Sequence, residues 1–442
     1  MKKILEKIMA EQAIYNVNKH KPIIVALTGS YGKTTTKDAL VGVISQIMPR
    51  NEWRASQKSF NNELGIPLTI LGYDAPGRSL IAWIKILLGG WFISRKNFPK
   101  LFILEIGADH PGDIKFWAER LRPDIAVLTG VSTVHAEFYN SVEQITDEKL
   151  NLGIFAKNTV IVNASDLVLA SRLPDLKGKA LITYGFEGDL RIENISIRCR
   201  YDDSFEAEEL LTQTVGSVIV EDAEIGELVL DNSLGYASLL SSLAALGVVL
   251  RLQEMKKYSG KNLFAHELVR VLRERYKPTP GRMRPLAGIK GSLIIDDSYN
   301  AAPAAVKYGL SVLASIPLAR QESRRIAVLG DMAELGQYSE KEHKNIAGIA
   351  IESADLIVLV GEKMKMAFEE ILYKGFNPDN LKWFKASIEA GRFLDSEIRK
   401  GDVVYIKGSQ STRMEKVVKD VMAEPLKSKD LLVRQEDKWL KI

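Results

Sequence analysis

The chain has 442 residues, 46% of them hydrophobic, with 60 Lys and Arg side chains against 56 Asp and Glu. That length predicts two or three domains with cores of their own, and with charges that nearly cancel, net charge implies no broad nucleic-acid-binding face. A lone cysteine, Cys199, excludes an intramolecular disulfide framework and fits a reducing, cytoplasmic setting.

In chain order, residues 1–21 read as an amphipathic helix, because Glu6 and Glu11 interrupt the apolar run that a signal peptide requires. Residues 22–278 read as a central nucleotide-binding domain. "PIIVALTG" gives a buried strand over 23–27, then a glycine bend and a helix to about Met48. The longest apolar stretch, "SLIAWIKILLGGWFIS" at 79–94, contains Lys85 and a Gly-Gly break and is too short to span a bilayer. Its Trp83 and Trp91, with Lys85, Arg95 and Lys96, suit peripheral contact of 79–96 with a membrane surface or a partner. "LFILEIGA", "GDIKFWAERL" and "DIAVLTGV" continue the alternation of strand and helix that predicts a mostly parallel sheet covered by helices. Residues near 180–232 read as antiparallel strands, an appended β-layer, and 234–252 as a helix. "YKPTPGRMRPL" clusters three prolines and a glycine and marks a boundary. Residues 279–442 then repeat the α/β alternation as a C-terminal Rossmann-like domain.

The stretch "VALTGSYGKTTTKDAL" carries the most chemistry. A strand, a tight glycine turn and a helix N-terminus present backbone N–H groups and the positive end of a dipole to an anion. Gly29 and Gly32 allow close backbone approach, Lys33 can neutralise phosphate charge, and the Thr34 hydroxyl can ligate Mg²⁺. Ser30 and Thr35 complete the candidate phosphate contacts. The spacing is a shortened form of the common nucleotide loop, with Leu27 where G-x-x-x-x-G-K-[ST] has its first glycine.

Polar residues at strand ends are the next candidates, since ligands of open α/β sheets collect there. Glu105 sits inside an apolar strand and needs a partner, either a metal ion or a basic side chain. His135, in the polar loop after "DIAVLTG", is a second candidate ligand. Lys149 reads by itself as a solvated surface lysine.

These segments resemble the Mur ligases, and within them the branch that adds D-alanyl-D-alanine to a UDP-muramoyl tripeptide. The resemblance rests on "TGSYGKTTTKDAL", "NNELGIPLTIL", "LEIGADHPGDI", "PGRMR", "DDSYNAAP", "VLGDMAELG" and "GDVVYIKGS", in family order over most of the chain. It implies an ATP-dependent ligase of cell-wall precursor synthesis that activates a peptide-type carboxylate acceptor as an acyl phosphate and joins it to an amine donor. It further implies that Lys33 stabilises the moving phosphoryl group, that Thr34 and Glu105 hold one Mg²⁺ and His135 a second, and that Lys149 is the carbamylated lysine. Arg282, Asp297, Tyr299 and Asn300 would contact the nucleotide, and Asn61, Asn62, Lys407 and Ser409 the substrates. The sequence departs from the family in the segment Thr129 to His135, which lacks the usual Asn and Gly, at Glu148-Lys149-Leu150-Asn151, at Ala237 and Ser241, and at Ala302. Only a helix-length segment precedes the phosphate loop, where the family carries a uridine-nucleotide domain, so uridine is expected to add little affinity. A Mur-like ligase for a non-UDP peptide, polyglutamate or wall polymer, and an inactive nucleotide-binding partner protein, are the alternatives.

Overall fold

The computed structural model describes residues 2–57, 64–75, 77, 79–108, 110–132, 138–139, 141–200, 211–436 and 439. The first helix, α1 (Lys2–His20), buries Met9, Ala13 and Val17 at helical spacing. Strand β1 (Ile23–Thr28) follows, and its alternation is two-sided. Ile24 and Ala26 enter one core while Ile23, Val25 and Leu27 enter another, as expected of a strand covered on both faces.

The remaining elements of this part are α2 (Lys33–Ile47), β2 (Trp53–Ala55), α3 (Gly65–Leu71), α4 (Leu80–Gly89), β3 (Leu101–Glu105), α5 (Asp113–Leu121) and β4 (Ile125–Leu128). Then come α6 (Val142–Ile154), β5 (Thr159–Asn163), α7 (Leu167–Ser171), β6 (Ala180–Gly185), β7 (Leu190–Arg200), β8 (Leu211–Val220), β9 (Ala223–Asp231), α8 (Ala237–Gln253) and α9 (Ala265–Arg275). Their strands form one nine-stranded sheet in the order β2-β3-β1-β4-β5-β6-β7-β8-β9. Core residues of α1, α3, α5 and α6 cover one face and those of α2, α8 and α9 the other.

The stretch expected as an antiparallel layer near 180–232 is organised differently at its start. Strand β6 is parallel to β5 and, through Tyr184 and Gly185, parallel to β7, so the antiparallel strands β7, β8 and β9 extend the main sheet. The order also places β1 between β3 and β4, both of which come later in the chain. The loops after these three strands therefore open side by side at the carboxyl edge of the sheet, where ligands of such sheets bind.

A six-stranded sheet follows. Its elements are β10 (Arg284–Ala287), β11 (Leu293–Asp297), α10 (Pro303–Ser315), β12 (Arg325–Gly330), α11 (Ser339–Ser353), β13 (Leu356–Val360), α12 (Lys365–Tyr373), β14 (Leu381–Phe384), α13 (Ser387–Glu397), β15 (Val403–Lys407) and α14 (Glu415–Val421). The order is β10-β11-β15-β12-β13-β14, parallel except for β10. In β12, Ala327 and Leu329 face one core while Ile326 and Val328 face the other. Among the described residues no helix is long and apolar enough to cross a membrane.

Candidate active site

The bend after β1 has the backbone the sequence calls for. Gly29 lies at φ 154° and Gly32 at φ 80°. A Cβ on Gly29 would sit 2.2 Å from Thr129 Oγ1, so the loop after β4 leaves room for glycine alone. Gly32 caps α2 with no side-chain hydrogen bond, so no cap side chain claims the first-turn N–H groups of the helix. Ser30 is tied to the neighbouring loop, its N–H donating to Gly130 O at 2.7 Å and its hydroxyl to Ser132 O at 3.2 Å. The Lys33 ammonium donates to Gly29 O, and Thr35 is half-buried on the first turn of α2.

Strand register brings Glu105 to this loop, because Leu27 of β1 pairs with Glu105 of β3. Thr34 Oγ1 donates to Glu105 Oε1 at 2.9 Å, and Lys37 Nζ lies 3.4 Å from Glu105 Oε2. Burial pushes the Glu105 carboxyl up, but Lys37, Lys33, Arg282 and the Thr34 hydroxyl outweigh it and hold the group below the usual carboxylate range. The basic partner weighed for Glu105 is thus Lys37, a residue the sequence reading did not single out. It lies four residues after Lys33 and so on the same face of α2, which was the available signal.

Arg282, in the turn before β10, approaches the same hydroxyl. The flanking N–H groups of Gly281 and Met283 donate to Asp296 Oδ2 at 3.0 Å and Asp297 Oδ1 at 3.2 Å. Met283 takes φ 51° there, a left-handed conformation unfavourable to its side chain and held by these clamps. So fixed, Arg282 Nη2 donates to Thr34 Oγ1 at 3.3 Å, and its guanidinium carbon lies 4.3 Å from the Tyr299 ring centroid. Its Nε is buried without a hydrogen-bond partner among the described residues. Thr279 Oγ1 adds a second link, donating to Asp38 Oδ2 at 3.1 Å.

The other expected residues divide. Tyr299 is 36% exposed beside Arg282, and its carbonyl accepts from Arg434. Asn300 is exposed, its Oδ1 accepting from Ala301 N at 2.9 Å. Asp297 and Lys407, expected as a nucleotide contact and an amine-substrate contact, form a buried ion pair at 2.6 Å, with the Tyr405 hydroxyl donating to the same oxygen at 3.1 Å. Ser409 is also buried, its hydroxyl 3.1 Å from those of Ser411 and Thr412. His135, Asn61 and Asn62 lie outside the described residues.

Lys149 is not the surface lysine its segment suggests. It is buried in α6, where desolvation first and Lys33 second lower its pKa to about 7, against the opposing pull of Glu148. Glu148 accepts from the N–H groups of Gly112, Ile114 and Lys115 at 2.9, 2.7 and 3.3 Å and so caps α5. Asp166 went unnoticed in the sequence although it caps α7. It also accepts from the Tyr31 hydroxyl at 2.5 Å and Val131 N at 2.7 Å, tying the phosphate loop to the loop after β4.

The residues present fit a nucleoside triphosphate with Mg²⁺. The helix N-terminus without a side-chain cap, Lys33 and the orphaned Arg282 Nε suit a phosphate chain. Thr34 and Glu105 offer hard oxygen donors. No cluster of three or more His, Cys, Asp or Glu able to hold a metal occurs among the described residues.

Residues 27–240 match the Mur ligase middle domain, and residues 281–410 match the Mur ligase glutamate ligase domain. The chain is 25% identical over 93% of its length to the UDP-N-acetylmuramoyl-tripeptide–D-alanyl-D-alanine ligase of Rickettsia prowazekii, spanning 80% of that protein. It is 28% identical over 91% of its length to the Mycobacterium tuberculosis (CDC 1551 / Oshkosh) protein of the same name, spanning 73% of it. In fold it is similar to the MurF ligase of Thermotoga maritima in complex with ADP, with a TM-score of 0.71, 22% identity, and coverage of 96% of this chain and 84% of that one. The two matched regions take in, one after the other, the phosphate loop with most of the nine-stranded sheet and then the six-stranded sheet, and the chain belongs to the Mur ligase family.

Proposed function

We propose that the chain is an ATP-dependent ligase of the D-alanyl-D-alanine-adding branch, joining a peptide carboxylate to the amine of D-alanyl-D-alanine. The observation that carries this reading is the convergence on Thr34, where Glu105 at the end of β3 and Arg282 from the turn before β10 meet the phosphate loop at a single hydroxyl. A reaction that moves a phosphoryl group between ATP and a second substrate needs such a junction.

In the first step a carboxylate oxygen of the acceptor attacks the γ-phosphorus of ATP, ADP leaves, and an acyl phosphate forms. In the second the amine attacks the acyl carbon, inorganic phosphate leaves, and the nitrogen gives up a proton as the amide forms. Lys33 and Arg282 bring positive charge to the phosphoryl oxygens, where it counts most in the transition state. Thr34 and Glu105 would hold Mg²⁺, which when bound neutralises phosphate charge.

Lys149 has the chemistry for carbamylation. A lysine with a pKa of about 7 is substantially neutral at neutral pH, and the neutral amine adds CO₂ with loss of a proton. The product is an anion beside Lys33, converting a repulsion between two cations into an attraction.

Release of phosphate from ATP, measured for candidate peptide acceptors with and without D-alanyl-D-alanine, tests the proposal. Release that requires both an acceptor and the dipeptide is expected. Release unaffected by the dipeptide for every acceptor would overturn this donor.

A further inference from the structure

We propose that the outer face of α4, with the turn after it, is a docking surface for an anionic phospholipid membrane. Sequence alone leaves this apolar helix free to be buried on all sides, and the structure shows that it is not. One side packs inward. Ile86 is 3% exposed, Gln12 Nε2 of α1 donates to Leu87 O at 2.7 Å, and Asn16 Nδ2 donates to Gly90 O at 2.7 Å. The opposite side is apolar and uncovered, with Ile81 70%, Ile84 55%, Leu88 67% and Phe92 84% exposed.

Helical spacing explains why these residues act together. At about 100° per residue, positions 81, 84, 85 and 88 fall within an arc of roughly 60–100°. Phe92 continues the row beyond the helix end, on a turn closed by its N–H to Gly89 O at 3.0 Å. A surface helix ordinarily shows water its polar side; this one shows aliphatic and aromatic side chains.

Charge selects the occupant. From Gly77 to Leu104 the sequence contains no Asp or Glu, and exposed Lys85, Arg95 and Lys96 lie in and just beyond the apolar row. Lysine and arginine stems can lie along lipid while their heads reach anionic headgroups. Trp91, half-buried with its ring edge-on to Tyr15 at 5.6 Å, sits beside the exposed Phe92, the amphipathic type that favours a membrane interface. The packed inner face and the 10-residue length of α4 keep the helix on the surface. A second copy of the chain would bring like charges together across this row.

Flotation of the full chain with vesicles tests the proposal. The chain should float with phosphatidylcholine–phosphatidylglycerol vesicles at low salt, and much less with pure phosphatidylcholine. The double variant Ile84→Glu, Leu88→Glu should lose binding by more than tenfold. Charge reversals at Lys85, Arg95 and Lys96 should each cost on the order of fivefold or more. All should keep the parental melting temperature, since these side chains are exposed. A chain that stays unbound to anionic vesicles, equal binding to neutral ones, or a double variant that floats as well as the parent would each overturn the proposal. So would absence of vesicle binding together with a dimer that the double variant dissociates.

Discussion

Two buried lysines, Lys149 and Lys407, show how differently the two halves of the molecule handle charge. Lys407 lies 2.6 Å from Asp297, whose other oxygen accepts from Met283 N, so its charge is neutralised within the fold. Lys149 is equally deep but faces Lys33, and burial with that neighbour brings its pKa down to about 7. A charge answered inside the fold serves the fold. A charge set beside its like persists where a ligand or a modification is to answer it.

The comparison can be tested hardest at Lys33, the source of the repulsion. Lys33→Ala should lower amine-dependent phosphate release on the order of 10³-fold while the melting temperature is no lower than that of the parent. Near-parental turnover would remove the catalytic side of the contrast.

Lys407→Met should destabilise the protein by roughly 3–5 kcal/mol in denaturant titration, because Asp297 is left buried without its cation. Adding Asp297→Asn should recover much of the loss. If the single variant is as stable as the parent, the pair is not a structural clamp.

Lys149→Met should do the reverse. The folded pKa of about 7 lies below the ordinary lysine value, so between about 7 and about 10.4 the unfolded chain binds more protons and parental stability rises with pH. The variant should therefore be more stable than the parent by several kcal/mol below pH 7, the gain fading as pH approaches about 10. It should also lose turnover, and Lys149→Ala should be partly rescued by a short carboxylate. A variant both active and no more stable would erase the distinction between the two lysines.

The smallest expected effect is at Glu105, which shares features of both cases. Glu105→Gln keeps a hydrogen-bond acceptor for Thr34 and should raise the Mg²⁺ concentration for half-maximal activity roughly tenfold. An unchanged titration would assign Glu105 to Lys37 alone.

Much of this was legible in the sequence where the signal is local. The run at 23–27, the two glycines and Lys33 define strand, bend and helix within a dozen residues, and Glu105 stands out by its apolar neighbours. What was not legible depends on strand order. Thr34 meets Glu105 and Arg282 across 71 and 248 residues, and no periodicity encodes that β1 lies between β3 and β4. Lys149 was misread for the same reason, since its helix looks polar until packing against the sheet buries it. The three-residue β2 and the four-residue β14 were too short to show alternation.

The interposition of β1 also has a consequence for synthesis on the ribosome. Its two partners, β3 and β4, begin at Leu101 and Ile125, so the apolar segment bearing the phosphate loop emerges long before either neighbour exists. At 5–20 residues per second, roughly 5–20 s pass between translation of β1 and completion of β4. For most of that interval a largely apolar strand lacks both partners, and for the rest it lacks one. Slowing elongation across residues 30–120 should therefore favour chaperone capture of the nascent chain, whereas slowing it after residue 130 should not.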